Sequence, residues 1–198
     1  DVLPKGHLIE VERADLVGEY IGHTAQKTRD LIKKAMGGIL FIDEAYSLAR
    51  GGQRDFGKES IDCLTKAMED QKENFVLILA GYEKEMEFFI RSNPGLRSRF
   101  PIHIDFPDYT IDELMEIAKL MLAKREYKLS VRAYSALKDI LLNNNYKNQD
   151  RFGNARLVRN LIEKAIRRQA VRLIDLNNVT REDLILIVED DIKGVEDN

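Results

Sequence analysis

The sequence predicts an α/β domain with a mainly parallel sheet, followed by a smaller module made of helices. Three observations indicate this fold class. In the first half, short apolar runs alternate with amphipathic helical patterns, which is typical of parallel strands joined by helices. Residues 107–113 combine a proline with a helix-capping pattern, and beyond them the alternation of a strand disappears. A chain of 198 residues has room for both parts.

Four strands are predicted in the first half, at residues 8–11, 39–42, 75–80 and 102–106. Amphipathic helices are predicted between them at residues 24–36 and 60–68, where apolar side chains recur every three or four positions. Gly37 and Gly38 end the first of these helices where the next strand begins.

The second module opens at Thr110, which forms a capping box with Glu113. No strand is predicted from there to the end. Further helices are expected at about residues 130–142, 154–174 and 180–188, with a polar loop at residues 143–150. The sequence therefore predicts an α/β domain at residues 1–108 and a helical domain at residues 109–198.

Composition and charge indicate which classes of partner and which cell compartment fit this chain. The net charge of −3 gives no general attraction to nucleic acid, and the longest apolar runs are too short to cross a bilayer. We therefore expect neither a nucleic-acid nor a membrane partner. Cys63 is the single cysteine and cannot form an internal disulfide, which fits a reducing cytoplasm. The three histidines are scattered, so spacing predicts no zinc site.

Residues 38–45 read GILFIDEA, a buried strand that ends on two adjacent carboxylates, Asp43 and Glu44. This is the pattern of a Walker B element, in which the first acid holds the water shell of Mg²⁺ and the second polarises the water that attacks the γ-phosphate. The alternative is a core strand followed by an acidic helix cap.

Two other segments have candidate functional residues in the first domain. Tyr20, Ile21 and Gly22 lie in a loop after the first strand, where apolar side chains either grip another molecule or fold back onto the core. Arg97 and Arg99 precede the last predicted strand. They are either solvated loop cations or groups that reach a neighbouring subunit and neutralise a transferring phosphate, an effect of roughly 10³ to 10⁵ in rate.

Arg156 is in the first turn of a long predicted helix of the second module. A cation is unfavourable there unless an anion lies opposite, because the helix dipole is positive at this end. The anion could be a nucleotide phosphate or a nearby acid such as Asp150.

One apparent phosphate-binding loop is rejected. Residues 52–59 resemble GxxxxGK[ST], but Glu59 occupies the place of the hydroxyl that binds Mg²⁺, and no strand leads into the glycines. The segment is interpreted as a surface loop and helix start, with Lys58 solvated. The chain therefore has no recognisable phosphate-cradling loop.

Six segments, in this order, closely resemble AAA+ ATPases of the CbbX and stage V sporulation protein K type: YIG at 20–22, ILFIDEAY at 39–46, LILAGY at 77–82, NPGLRSRF at 93–100, IDFPDY at 104–109 and GNARLVRN at 153–160. The resemblance spans nearly the whole chain. It implies a partial AAA+ P-loop core with a C-terminal helical lid. The helical stretch at 115–130 is more similar to the sporulation protein type than to the CbbX type.

The resemblance also implies roles for single residues. Asp43 and Glu44 correspond to Walker B, with Asp43 binding Mg²⁺ through water, and Arg156 corresponds to sensor 2. The arginine finger that acts in trans corresponds to Arg99, with Arg97 as the second candidate. The pore loop of a hexameric ring comprises Tyr20, Ile21 and Gly22. Tyr82 stands near the sensor 1 position, where many AAA+ proteins carry asparagine.

Members of this family carry the Walker A loop, a helix and a strand ahead of the segment that resembles residues 8–11. We therefore expect this chain to be a fragment that binds ATP negligibly by itself. The expected function of the intact protein is ATP hydrolysis with Mg²⁺ by a cytoplasmic homo-oligomer that threads a protein substrate. Two alternatives are an AAA+ ATPase directed at nucleic acid and a non-hydrolysing interaction module.

Overall fold

The computed structural model describes residues 3–20, 22–50, 56–71, 74–147, 153–174, 176 and 178–193. The chain divides into two compact units, Asp1–Asp105 and Phe106–Asn198. Each unit has its own hydrophobic core. The predicted fold class, a parallel α/β domain followed by a helical module, is confirmed.

The first unit is built on a parallel sheet with the strand order β1-β2-β3. The strands are β1 (Leu8–Val11), β2 (Ile39–Ile42) and β3 (Val76–Leu79). The helices are α1 (Arg13–Leu16), α2 (His23–Ala35), α3 (Gly57–Asp70), α4 (Glu83–Ser92) and α5 (Pro94–Arg99), with a 3₁₀ helix at Ala45–Ala49. Leu40 and Ile42 on one face of β2 are fully buried, and Ile39 and Phe41 on the other face are half-buried, which explains the unbroken apolar run of this strand.

The predicted strand at residues 102–106 is wrong. The segment forms no strand, and Ile102, Ile104 and Phe106 are 80%, 71% and 90% exposed. A strand needs a neighbour for its backbone hydrogen bonds. Within the described part of the first unit, no strand pairs with the outer edge of β3. The apolar alternation is present, but it has no described strand to pair with.

The second unit consists of α6 (Ile111–Ala123), α7 (Val131–Lys147), α8 (Asn154–Ile174), α9 (Arg181–Ile185) and α10 (Glu189–Lys193). Its capping boxes start α6 at Thr110, as predicted, and α9 at Thr180. A short parallel pairing of β4 (Lys128–Leu129) with β5 (Leu186–Ile187) contradicts the expectation that this module has no strand. Two-residue strands carry no visible periodicity.

The predicted polar loop at residues 143–150 is also wrong in its first part, because α7 continues to Lys147. Buried Ile140 and Leu141 hold this end of the helix on the core. Asn144 is tolerated there because its side-chain amide donates to the Ile140 carbonyl at 2.9 Å. Residues 148–150 lie outside the described residues.

Two polar side chains fasten the C-terminal segment of this unit to α8. Buried Gln169 donates from its amide to the carbonyls of Asp183 and Leu184 at 2.9 and 3.0 Å. Arg172 forms a two-pronged pair with buried Asp191, with nitrogen–oxygen distances of 3.0 and 3.1 Å. None of the described helices is long and apolar enough to cross a membrane.

Candidate functional site

Asp43 and Glu44 lie at the carboxyl end of β2, and both side chains are exposed. Neither carboxylate takes part in an ion pair within the described part of the chain. The Asp43 backbone donates to the Val11 carbonyl at 3.0 Å, and the Ala45 backbone donates to the Ala80 carbonyl at 2.9 Å. The two acids are therefore held between the ends of β1 and β3, at the edge where parallel α/β sheets bind ligands.

Glu44 has an unusual backbone conformation. Its φ of 46° and ψ of 44° are left-handed, a region that costs a residue with a side chain roughly 1–2 kcal/mol. Although Glu44 precedes the 3₁₀ helix, its side chain makes no capping hydrogen bond. The carboxylate is therefore not used to cap the helix. Backbone strain of this kind persists where the surrounding structure enforces it, and it clusters at functional sites.

Tyr46 lies beside these acids in the 3₁₀ helix and is only 6% exposed. The guanidinium carbon of Arg50 is 4.5 Å from the centre of its ring. The ring of Tyr82, itself exposed, is 6.4 Å away between centroids. Burial raises the pKa of the Tyr46 hydroxyl, and the charge of Glu44 raises that pKa further. The ring of Tyr46 therefore packs between Arg50 and Tyr82 close to Glu44, and no local sequence pattern had pointed to this tyrosine.

Arg97 and Arg99 both lie on α5 but in different surroundings. Arg97 is exposed. Arg99 is paired with Glu69 at the end of α3, and it also donates to the Gly95 carbonyl at 2.8 Å. Its Nε is buried without a hydrogen-bond partner. In this structure Arg99 is therefore engaged within its own chain.

The loop before α2 is anchored at both ends while its tip stays exposed. The Gly18 N–H donates to the Thr24 hydroxyl at 2.9 Å, and Gly22, with a φ of 84°, precedes the helix. Tyr20 is 65% exposed, and its ring meets the edge of the His23 ring at 5.5 Å. Tyr20 therefore does not fold back onto the core. Ile21 lies outside the described residues.

In the second unit, Arg156 is exposed in the first turn of α8. Asp150, its predicted alternative partner, lies outside the described residues. The preceding Asn154 has a defined role: its amide donates to the Asp108 carboxylate at 2.7 Å and its oxygen accepts from the Tyr109 backbone at 3.3 Å. Asn154 thus joins the GNAR segment to the FPDY segment, a contact that the sequence did not reveal.

The donor set at the end of β2 fits a hydrated magnesium ion. The described residues contain no group of three or more histidine, cysteine or acidic side chains that could enclose a metal. Two exposed carboxylates are instead suited to Mg²⁺, which keeps several waters and is held by one or two carboxylates together with substrate phosphates. In the first unit, the structure brings Glu44, Tyr46 and Tyr82 into one cluster, while Arg99 is held by Glu69 on α3.

Two family models match the chain. The model of the ATPase family associated with various cellular activities, AAA, matches residues 4–108, and the AAA lid domain matches residues 110–198. Among solved structures, the AAA domain of FIGL-1 in complex with ADP superposes with a TM-score of 0.64 at 14% identity, covering 94% of this chain and 61% of that one. At this identity the likeness shows the fold alone.

Curated relatives extend the comparison. Stage V sporulation protein K of Bacillus subtilis (strain 168) is 61% identical over all 198 residues, and CbbX of Cereibacter sphaeroides is 47% identical over 96% of this chain. The chain spans 62% of the length of each. The chain belongs to the AAA ATPase family, within the group that contains stage V sporulation protein K and CbbX.

Proposed function

We propose that the full-length protein containing this chain hydrolyses ATP and uses the energy to remodel a protein substrate. The single observation that supports this most directly is the exposed pair Asp43 and Glu44 at the end of β2, with no internal ion pair among the described residues. Two carboxylates without an ion-pair partner at the carboxyl end of a strand are available to a ligand. Mg²⁺ bound with ATP supplies charge neutralisation, and Asp43 would hold it through water.

In this proposal Glu44 orients the attacking water and accepts its proton. Arg99, with Arg97 as the second candidate, acts on the phosphate bound by a neighbouring subunit of a homo-oligomeric, hexameric ring. Arg156 senses the phosphate from the lid, and Tyr82 lies near the sensor 1 position. Tyr82 lies three residues after the end of β3 and next to the ring of Tyr46, which supports its proposed role near Glu44.

The phosphate-cradling loop is proposed to lie outside these 198 residues, because no segment of the sequence has its pattern. The open edge of β3 supports this proposal, since a further parallel strand has room to pair there. The chain by itself is then expected to bind ATP negligibly. Calorimetric titration of the 198-residue chain with Mg-ATP tests this, and tight binding would contradict it.

The decisive experiment replaces Glu44 with glutamine in the full-length protein. ATP should remain bound and hydrolysis should stop, because the amide keeps the size of the side chain but cannot accept the proton. Glu10→Gln is the matched control: it changes an exposed glutamate on β1 of the same sheet and should leave turnover unchanged. Turnover at the wild-type rate in Glu44→Gln would remove Glu44 from the mechanism.

Tyr20, Ile21 and Gly22 are proposed to contact the substrate polypeptide in the pore of the ring, in the cytoplasm. The exposed ring of Tyr20 at an anchored loop supports this. Tyr20→Ala in the full-length protein should spare basal ATP hydrolysis and abolish remodelling, while Tyr20→Phe should retain both. Unchanged remodelling by the alanine variant would refute the role of Tyr20.

A further inference from the structure

We infer that Asn154 is a positioning residue for Arg156: it fastens the start of α8, so that the arginine is held where it can sense a phosphate. This inference rests on the proposed function, because it requires Arg156 to distinguish ATP from ADP. Three observations carry it: the backbone conformation of Asn154, its hydrogen bonds to the segment before α6, and the place of Arg156 in the same helical turn.

Asn154 opens α8 with a left-handed backbone, at a φ of 48°. Asparagine tolerates this region better than most residues, yet it is uncommon for any residue that has a side chain. The chain is also closely packed at this point, because a Cβ added to Gly153 would lie 3.2 Å from the Cβ of Leu157. The Leu157 N–H donates to the Gly153 carbonyl at 3.0 Å. The entry into the helix is therefore tightly folded, and backbone strain of this kind persists where neighbouring contacts enforce it.

The side chain of Asn154 makes contacts that enforce this conformation. Its amide donates to the Asp108 carboxylate at 2.7 Å, and its oxygen accepts from the Tyr109 N–H at 3.3 Å. The bond to the carboxylate is charge-assisted and therefore stronger than a bond between neutral groups. Both partners lie within two residues of Thr110, the N-cap of α6. Asn154 thus ties the start of α8 to the start of α6, inside one compact unit.

Arg156 depends on this tie because it is exposed in the first turn of α8. The first N–H groups of a helix have no partner within the helix, and helix ends fray. Two residues beyond the arginine, Val158 is fully buried in the core of the unit. With Asn154 fixed before it and Val158 after it, the backbone of Arg156 has little freedom. Less conformational entropy is then lost when its guanidinium meets a phosphate.

The test measures how well the full-length protein distinguishes ATP from ADP, as the ratio of its affinities for ATPγS and ADP in calorimetric titration. Asn154→Gly removes the side chain, while glycine adopts the same φ without strain. It should lower this ratio about 5-fold, the effect of one hydrogen bond of ordinary strength. Asp108→Ala should cause a similar loss, and the double variant should lose no more than Asn154→Gly alone, because both changes remove the same bond. Asp108→Asn should retain the ratio, since its oxygen still accepts from the Asn154 amide.

Asn144→Ala is the matched control, since Asn144 is a helical asparagine of the same unit whose amide donates to the Ile140 carbonyl at 2.9 Å, but on α7. It removes a hydrogen bond from this unit and should leave the ratio of affinities unchanged. Arg156→Ala should lower the ratio. Adding Asn154→Gly to Arg156→Ala should cause no further loss, because the effect of the asparagine passes through the arginine.

The possible results separate this inference from the proposed function. An unchanged ratio in Asn154→Gly, or an equal further loss in the Arg156→Ala background, would overturn the inference while the proposed role of Arg156 stands. A loss in Asn144→Ala as large as that in Asn154→Gly would also overturn it, because the ratio would then follow the general stability of the unit. An unchanged ratio in Arg156→Ala would refute the proposed phosphate sensing itself, and with it this inference.

Discussion

Replacing Glu69 with glutamine tests whether Arg99 is restrained by its own subunit. The Arg99 side chain is 24% exposed and that of Glu69 is 57% exposed, so water screens the pair. Pairs of this kind contribute about 0.2–1 kcal/mol. The substitution keeps the shape of Glu69 and leaves the bond from Arg99 to the Gly95 carbonyl at 2.8 Å. We therefore expect the free energy of unfolding of the first unit to fall by no more than about 1 kcal/mol.

The same interaction affects the proposed trans role of Arg99. To reach a phosphate on a neighbouring subunit, its guanidinium must leave Glu69. The free energy that held the pair together opposes that step, and about 1 kcal/mol corresponds to roughly a 5-fold change in rate. Glu69→Gln should therefore raise ATP turnover of the full-length protein by up to about 5-fold. Arg99→Ala should abolish turnover in both backgrounds.

The assay is steady-state ATP hydrolysis by the full-length protein at saturating ATP, with thermal unfolding recorded for each variant. Glu87→Gln is the control, because Glu87 forms a comparable exposed pair with Arg91 at 2.5 Å on α4. It should leave turnover unchanged. A lower turnover in Glu69→Gln would refute the reasoning, since Glu69 would then orient Arg99 for its task and not restrain it. Full activity in Arg99→Ala would assign the finger elsewhere, with Arg97 tested next.

Three further predictions concern stability and exchange. Gln169→Leu should destabilise the second unit by about 1–3 kcal/mol in urea unfolding, because it removes the donor to carbonyls before and within β5; an unchanged midpoint would contradict this. Hydrogen bonds from the Thr110 backbone and then its hydroxyl lower the pKa of Glu113. Because the pKa of Glu113 is lower in the folded than in the unfolded protein, its ionised carboxylate stabilises the fold above the ordinary carboxyl pKa, and this stabilisation is lost as pH falls through the folded pKa. The thermal unfolding temperature should therefore decrease below about pH 4.5, and it should decrease less in Glu113→Gln. Amides of residues 102–106 should exchange rapidly in the 198-residue chain and slowly in the full-length protein, if a strand completes the sheet there; equal rates would refute this.

The sequence predicted features that depend on local patterns. The apolar run of β2 is unbroken because one face of the strand is fully buried and the other is half-buried, and this burial also leaves the polar end at Asp43 conspicuous. The long helix α8 was predicted with its observed bounds, and the capping box at Thr110 started α6 as expected. In each case the signal lies within a few residues of the element that it defines.

Features that depend on a distant partner were predicted wrongly or not at all. Residues 102–106 have strand alternation but no described neighbour to pair with, so a correct local pattern gave a wrong element. The pair β4 and β5 was missed because two residues are too few to show a period. The tie between Asn154 and Asp108 joins positions 46 residues apart, and no property of either segment alone indicates it.

The candidate site likewise combines residues that the local sequence makes recognisable with residues that only the fold brings next to them. Asp43 and Glu44 are recognisable because adjacent acids after a buried strand are chemically unusual, whereas Tyr46 looks like an ordinary helix residue two positions later. In the fold the ring of Tyr46 lies against Gly81, two residues after the end of β3. A glutamate that is to activate water must be both exposed and ordered, and the exposed end of β2 supplies only the first. A group that orders the carboxylate must come from a neighbouring element or from a bound ligand, and such a partner is visible only in a fold and not in the local pattern around Glu44.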